Sequence, residues 1–451
     1  MSDAIDVAWE ERILPALAEY TRIPCLSPAF DPDWAERGAI TAAAELLRDW
    51  VRDQGGALAT EIVQLPGRTP VLLVDNGGAG DPIVVYGHMD KQPPLGEWRQ
   101  GLGPYEPVRE GDLLYGRGTA DDGYSTFAAV TALAEAGGGH GRVLVFIEAS
   151  EESGSPDLAA YLEHLAPRIG TPRLVLCLDS GGLSYDRLWL TTSLRGMLIV
   201  TVTVDVLTEG IHSGQGGGVV PSSFRIMRRI LSRIEDEADG RILLPELLGA
   251  GMPDAHRANL EALAAEFPDS GYPIVDGLHL LGADPPARLE ARTWGAALEV
   301  VGADGMPKPL EAGSVLRPST TLKIGVRLPP DVDAQVACDS LISAIRTDEG
   351  AHVTIDVVGV AQGWVAPPLD PDVAATLDRV SKERFGRAAG AVGEGGSIPF
   401  LADLQRGFPG VQFVATGVLG PHSNAHGPNE SLHIPMAKAV THMVAELLKS
   451  N

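Results

Sequence analysis

The chain has 451 residues, with 60 acids against 35 bases, a net charge of −25, 44% hydrophobic residues and 21% charged ones. That length exceeds one ordinary core, so two domains are expected. The acid excess argues against a nucleic-acid partner, because phosphate binding wants a basic face. The cysteines, Cys25, Cys177 and Cys338, are far apart and form no CxxC, which excludes a disulfide framework and a thiolate zinc site. The acidic opening MSDAIDVAWEE lacks the basic start and apolar centre of a signal peptide. No run approaches the roughly 20 apolar residues of a membrane span. A reducing cytoplasm and no membrane partner are the expectation.

In chain order, 3–23 reads as an amphipathic helix with Ile5, Trp9, Ile13, Leu17 and Tyr20 on one stripe. A second helix over 35–54 stops at Gly55-Gly56. Short apolar runs of strand length follow at 69–74, 82–86, 142–148 and 173–179, with helical stretches at 124–136 and 157–165 between them. This alternation predicts an α/β domain whose mixed, largely parallel sheet is flanked by helices. The pattern changes near Ser193: strands at 197–207, 320–328 and 352–358 and a helix at 223–237 suggest an inserted α+β domain. Within it, 238–298 departs from the pattern with Pro, Gly and a helical piece at 255–266. From 366 the α/β style returns, with helices at 370–385 and 435–448 and a strand at 411–416. The expected layout is therefore 1–192 and 366–451 as one domain, with 193–365 inserted.

Acids and histidines sit where such a sheet would gather them. His88 and Asp90 follow one apolar run, Glu151 and Glu152 another, and Asp179 ends a third. In open α/β sheets the ligand crevice lies beyond the carboxyl ends of the strands. His88-Met89-Asp90 reads either as a surface pair or as a metal ligand with an orienting carboxylate beside it. In Gly116-Arg117-Gly118-Thr119-Ala120-Asp121-Asp122-Gly123, one acid can cap the following helix; Asp122 suits that cap or another structural role, while Asp121 can span two cations. Adjacent acids at 151 and 152 are either a solvated pair or a base beside a ligand. Asp179 would be costly to bury unpaired. His426 competes with His422, His433 and His442, and spacing does not choose among them. No phosphate-binding loop and no GxSxG elbow occurs.

Taken in order, GHMD, GRGTADDG, EESGS, LDS and AHGPNE resemble the M20 family of metallopeptidases over nearly the whole chain. The pieces Gly210-Ile211-His212-Ser213-Gly214, 322–329 with Arg327, and Glu394-Gly395-Gly396-Ser397-Ile398-Pro399 agree. The resemblance implies a zinc-peptidase-like catalytic domain and an inserted lid and dimerisation domain. It implies two divalent metal ions, with zinc ahead of manganese or cobalt, and Asp121 as the shared ligand. His88 and Asp179 would complete one metal site, Glu152 and His426 the other. Glu151 would be the general base for the attacking water, and Asp90 the carboxylate that fixes His88. His212 would steady the oxyanion across a homodimer interface, and Arg327, Gly396 and Ser397 would hold the substrate carboxylate.

Two positions depart from relatives of the dipeptidase type: Gly123 stands where they usually carry Lys, and Gly393 where they often carry Arg. Neither is a ligand, so these departures, with the 238–298 segment, bear on substrate choice. Lys91 is read as a cation that partly compensates. The implied activity is hydrolysis of dipeptides or short peptides with a free carboxylate. The alternative is an N-acyl amino acid amidohydrolase of the same fold. A non-catalytic binding or scaffold protein would be expected to have lost ligands or base, and here all are present.

Overall fold

The computed structural model describes residues 2–55, 58–137, 141–267, 274–346, 350–396, 399–408 and 410–449. The chain divides into two compact units, one of residues 1–192, 366–392 and 403–451, the other of 193–365 and 393–402.

The first unit is built on a mixed sheet. Its strands run in the order Ala59–Val63, Val71–Asp75, Val143–Glu148, Ile83–His88, Leu174–Cys177, Gln412–Ala415 and Trp189–Leu194. The four from Val143–Glu148 to Gln412–Ala415 are mutually parallel. The flanking pairs are antiparallel, so the parallel character belongs to the centre only. Every residue of Ile83–His88, Val143–Glu148 and Leu174–Cys177 is buried, as continuous apolar runs in a covered parallel sheet require. Helix Ser125–Ala136 packs on two of these strands, and Ile434–Lys449 packs on that helix. In register, His88 stands opposite Glu148, and Cys177 lies beside both Tyr86 and Ala415. The carboxyl ends of the central strands therefore finish together.

The amino-terminal stripe is buried as its pattern predicts. Its spacing of four residues, however, is wider than the 3.6 of an α-helix. The structure resolves the mismatch with a π-helical turn at Trp9–Ile13, between helices Ser2–Ala8 and Leu14–Thr21. The wider turn keeps Trp9 and Ile13 on the core side, and the Trp9 indole N–H donates to Thr441 at 2.9 Å.

Lys91 corrects an expectation. It is 1% exposed. Its ammonium donates to the carbonyls of Tyr20, Thr21 and Ile23 at 2.9, 3.2 and 2.8 Å and lies 4.1 Å from the centroid of the Tyr20 ring. All three donors are spent on the end of helix Leu14–Thr21, so none is left for a substrate. Gly123 is explained by the same packing. A Cβ there would fall 2.1 Å from the Gly118 carbonyl oxygen and 2.3 Å from the Tyr20 ring, so any side chain is excluded.

The second unit carries an antiparallel sheet in the order Ala297–Asp304, Ser319–Leu328, Gly196–Asp205 and His352–Ala361. Alternate residues Leu198, Val200, Val202 and Val204 face helices Ser223–Ile234 and Ala334–Ile345 in a core of their own. Ser222 caps the first helix, and Asp333 caps the second through Gln335 N and Val336 N. The 238–298 segment carries helices Asp254–Glu266 and Pro285–Thr293 and ends as strand Ala297–Asp304 begins, which completes the sheet. Gly393 is again steric: a Cβ would lie 2.6 Å from Ser193 Oγ.

Lys91→Met should lower the unfolding free energy by about 1–3 kcal/mol, because buried carbonyls lose their donor. Urea denaturation reads this directly, and an unchanged midpoint would contradict the assignment.

Candidate metal centre

The strand ends bring His88, Asp90, Glu151, Glu152 and Asp179 together, and two loops add Asp121 and His426, all within the first unit. His88 Nε2 lies 3.5 Å from Asp121 Oδ1 and 3.7 Å from Asp179 Oδ2. His426 Nε2 lies 3.1 Å from Asp121 Oδ2 and 3.3 Å from Glu152 Oε2. Asp121 thus turns one oxygen toward each imidazole. Ligand atoms of His88, Asp121 and Glu152 lie within 4.8 Å of one another, as do those of His88, Glu151 and Asp179. Glu151 therefore stands on the His88 side.

Each group is held by identifiable neighbours. His88 is buried, and its Nδ1 lies 3.1 Å from the Asp90 carbonyl oxygen. A proton on Nδ1, donated to that carbonyl, leaves the Nε2 lone pair facing the acids. His88 Nε2 and Asp121 Oδ2 are buried and make no well-aligned hydrogen bond, their polar neighbours being the other candidate ligands. Asp90 accepts the backbone N–H of Glu151 on one oxygen and of Glu152 on the other, at 3.1 and 3.0 Å. It so fixes the tight turn Glu151–Ser153 that carries both acids. Of the two roles read for Asp122, the cap is not made, since the following helix begins at Ser125 after Tyr124, and the other structural role is. Asp122 is buried and accepts the His88 backbone N–H at 2.8 Å. His426 is 55% exposed and adopts a left-handed backbone with φ 65°.

The protonation pattern reports an excess of negative charge. Burial opposes ionisation of Asp121, yet the His426 and His88 imidazoles hold it well below the usual carboxylate range. Burial pushes Glu151 well up, with Asp179 and Asp90 adding repulsion. Burial also raises Glu152, assisted by Asp121 and Glu151. Asp179 is pushed up to about 6 by burial, against the pull of His88. Oxygen and imidazole donors with no thiolate suit a borderline or hard divalent cation. The donor set, with two buried atoms that make no well-aligned hydrogen bond, fits such ions.

Several contributors were not singled out from sequence. Gln92 Nε2 donates to Glu152 Oε2 at 2.7 Å. Ser153 Oγ contacts Ser27 Oγ at 2.5 Å and accepts the Ala29 N–H at 2.9 Å, tying the acidic turn to the amino-terminal segment. Glu148, buried behind the turn, accepts from Tyr86 at 2.7 Å and from Ser155 at 2.8 Å. A polar residue directly after the apolar run 143–147 is the signal that could have found Glu148; Gln92, six residues past its run, carries no such mark.

In the second unit, His212 is exposed and caps the short turn Ser213–Gly216, its Nδ1 accepting from Gly214 N at 3.1 Å. A neutral His212 then carries its proton on Nε2. Arg327 is half-buried on strand Ser319–Leu328, with no acidic partner in ion-pair range among the described residues, and burial lowers its pKa. A Cβ at Gly396 would meet nothing within 4 Å. Ser397 lies outside the described residues.

Burial raises the Glu148 carboxyl to about 7 from 4.5. The folded chain therefore holds this proton more tightly than the unfolded chain. Its stabilisation is full at low pH, falls as pH rises from about 4.5 through 7, and is gone above that. Glu148→Gln should remove this slope, a difference of order 3 kcal/mol in urea unfolding compared across that range. Parallel profiles for the two proteins would contradict it.

Comparisons with known proteins give the family. Residues 84–450 match the model for Peptidase family M20/M25/M40. The chain is 28% identical over 449 residues to a cysteinylglycine-S-conjugate dipeptidase of Corynebacterium striatum, covering 95% of this chain and 94% of the relative. Its fold is similar to that of the M20 family metallo-carboxypeptidase Sso-CP2 from Sulfolobus solfataricus, with a TM-score of 0.82, 20% identity and coverage of 98% and 100%. It is also similar to the di-peptidase Dug1p of Saccharomyces cerevisiae, with a TM-score of 0.79, 21% identity and coverage of 99% and 97%. With most of its length matched and its acids and histidines gathered at the sheet's carboxyl edge, the chain belongs to peptidase family M20/M25/M40.

Proposed function

We propose that the protein is a two-metal dipeptidase, hydrolysing dipeptides or similar short peptides that end in a free carboxylate. The observation that carries this reading is Asp121, whose two oxygens address the two imidazoles separately. His88, Asp121 and Asp179 would hold one cation, and Asp121, Glu152 and His426 the other. Zinc is the first choice, ahead of manganese and cobalt. Bound there, two divalent cations polarise the scissile carbonyl and acidify water.

The chain's own residues do the rest. Glu151, whose proton affinity burial has raised, takes a proton from the attacking water and returns it to the leaving amine. Asp90 acts as a positioning residue through the Glu151 and Glu152 N–H groups and through His88. Arg327, lacking an acid of its own, is suited to a substrate carboxylate, with Gly396 and Ser397 beside that role by resemblance. His212 offers an Nε2–H donor for the oxyanion. We assign it to this task in a homodimer.

The Corynebacterium relative is named for S-conjugates of cysteinylglycine, so such dipeptides head the expected substrates. Three buried free thiols and the lack, among the described residues, of a helix long and apolar enough to cross a membrane support a cytoplasmic location.

A panel of dipeptides, S-substituted Cys-Gly among them, set against N-acyl amino acids with added Zn²⁺, Mn²⁺ or Co²⁺ tests the reading. Cleavage of dipeptides is expected, and cleavage of N-acyl substrates alone would replace it with the amidohydrolase. Glu151→Gln should lower kcat by about 10²–10⁴ while metal content stays at the wild-type level. Undiminished turnover would exclude Glu151 as the base.

A further inference from the structure

His88 and Asp179 leave the ends of hydrogen-bonded parallel strands, so the sheet itself sets their positions. Asp121 and His426 have no such support. The His426 loop is also strained, since His422, Asn424, His426 and Asn429 all have positive φ. One buried ion pair ties these two loops together. Arg117 and Glu430, 1% and 0% exposed at the side chain, meet at 2.6 Å.

Glu430 reaches this place through strand pairing. Strand Ser431–His433 runs antiparallel to Leu113–Tyr115, with Ser431 opposite Tyr115. Gly116 N then donates to the Glu430 carbonyl oxygen at 3.0 Å. The Glu430 carboxylate oxygen Oε1 accepts three backbone N–H groups of the Asp121 loop, from Gly118 at 3.0 Å and from Ala120 and Asp121 at 3.2 Å each. Its other oxygen takes Arg117. The far side of the Arg117 guanidinium donates to the Gly427 carbonyl at 2.9 Å and the Pro93 carbonyl at 3.2 Å. Gly427 is the residue after His426, and Pro93 follows Gln92, which holds Glu152. The pair thus contacts the backbone at or beside Asp121, His426 and the support of Glu152.

We propose that Arg117 and Glu430 are positioning residues for one half of the metal centre. They hold the outer oxygen of Asp121 and the imidazole of His426 in register. The cation of the Glu152–His426 side would rely on them for two ligands, Asp121 and His426, and the cation of the His88–Asp179 side only for the shared Asp121. This rests on the two-metal reading above.

Calorimetric titration of metal-free protein with Zn²⁺ tests it. Wild type should take up two equivalents. Arg117→Lys keeps the charge but loses the planar fork, and Glu430→Gln keeps the shape but loses the charge. Each should weaken the second equivalent about 10–100-fold more than the first. Equal weakening of both equivalents, or of neither, overturns the proposal. So does a variant that stays unfolded in saturating zinc, which would make the pair a folding element. If wild type itself takes up fewer than two equivalents, the two-metal reading fails first, and the titration separates the two failures.

Discussion

The structure depends on an imbalance of charge beyond the ends of its central strands. Asp90, Asp121, Glu151, Glu152 and Asp179 converge on two imidazoles, those of His88 and His426. Carboxylates withdrawn from water are stable only when paired or neutralised. The protein's own histidines satisfy one of them, Asp121, and leave Glu151, Glu152 and Asp179 raised. Divalent cations relieve that repulsion. A set of oxygens and imidazole nitrogens that is poorly neutralised without them is what a binding site for them requires.

Two different supports hold this arrangement. Parallel strands place the His88, Glu151 and Asp179 segments by register, with Asp122 and Asp90 fixing the backbone just beyond the strand ends. The remaining groups are held by buried cations acting on backbone carbonyls. Lys91 fastens the segment after His88 and Asp90 to the end of the amino-terminal helix. Arg117 fastens the His426 loop to the Asp121 loop through Glu430. Both cations spend their donors on structure.

The sequence made the central site legible because each metal-ligand candidate either follows an apolar run of strand length or sits in a short Gly-bracketed motif. Strand ends are where an α/β sheet collects function, so His88, Glu152 and Asp179 could be placed before any coordinates. His426 could not be separated from His422 on spacing. That choice needed the motif resemblance, and the structure places the His426 imidazole beside Asp121 and Glu152. Lys91 was misread because its partners are the carbonyls of a helix end about 70 residues earlier, and backbone acceptors leave no mark in sequence. Arg117 and Glu430 were quoted within motifs but given no role, since their pairing spans 313 residues. Strand Ala297–Asp304 was missed, lying almost wholly between the 238–298 segment and the strand read at 320–328. The amino-terminal helix was legible from its apolar stripe, and the π-helical turn at Trp9–Ile13 within it was not, because each four-residue step also suits an α-helix.

Anomalous X-ray scattering at the zinc edge from crystals of the zinc-loaded protein tests the central claim most directly. The account predicts two peaks about 3.5–4 Å apart, one against His88 and Asp179, the other against Glu152 and His426, with Asp121 touching both. A single peak, or two peaks of which Asp121 touches only one, would contradict it.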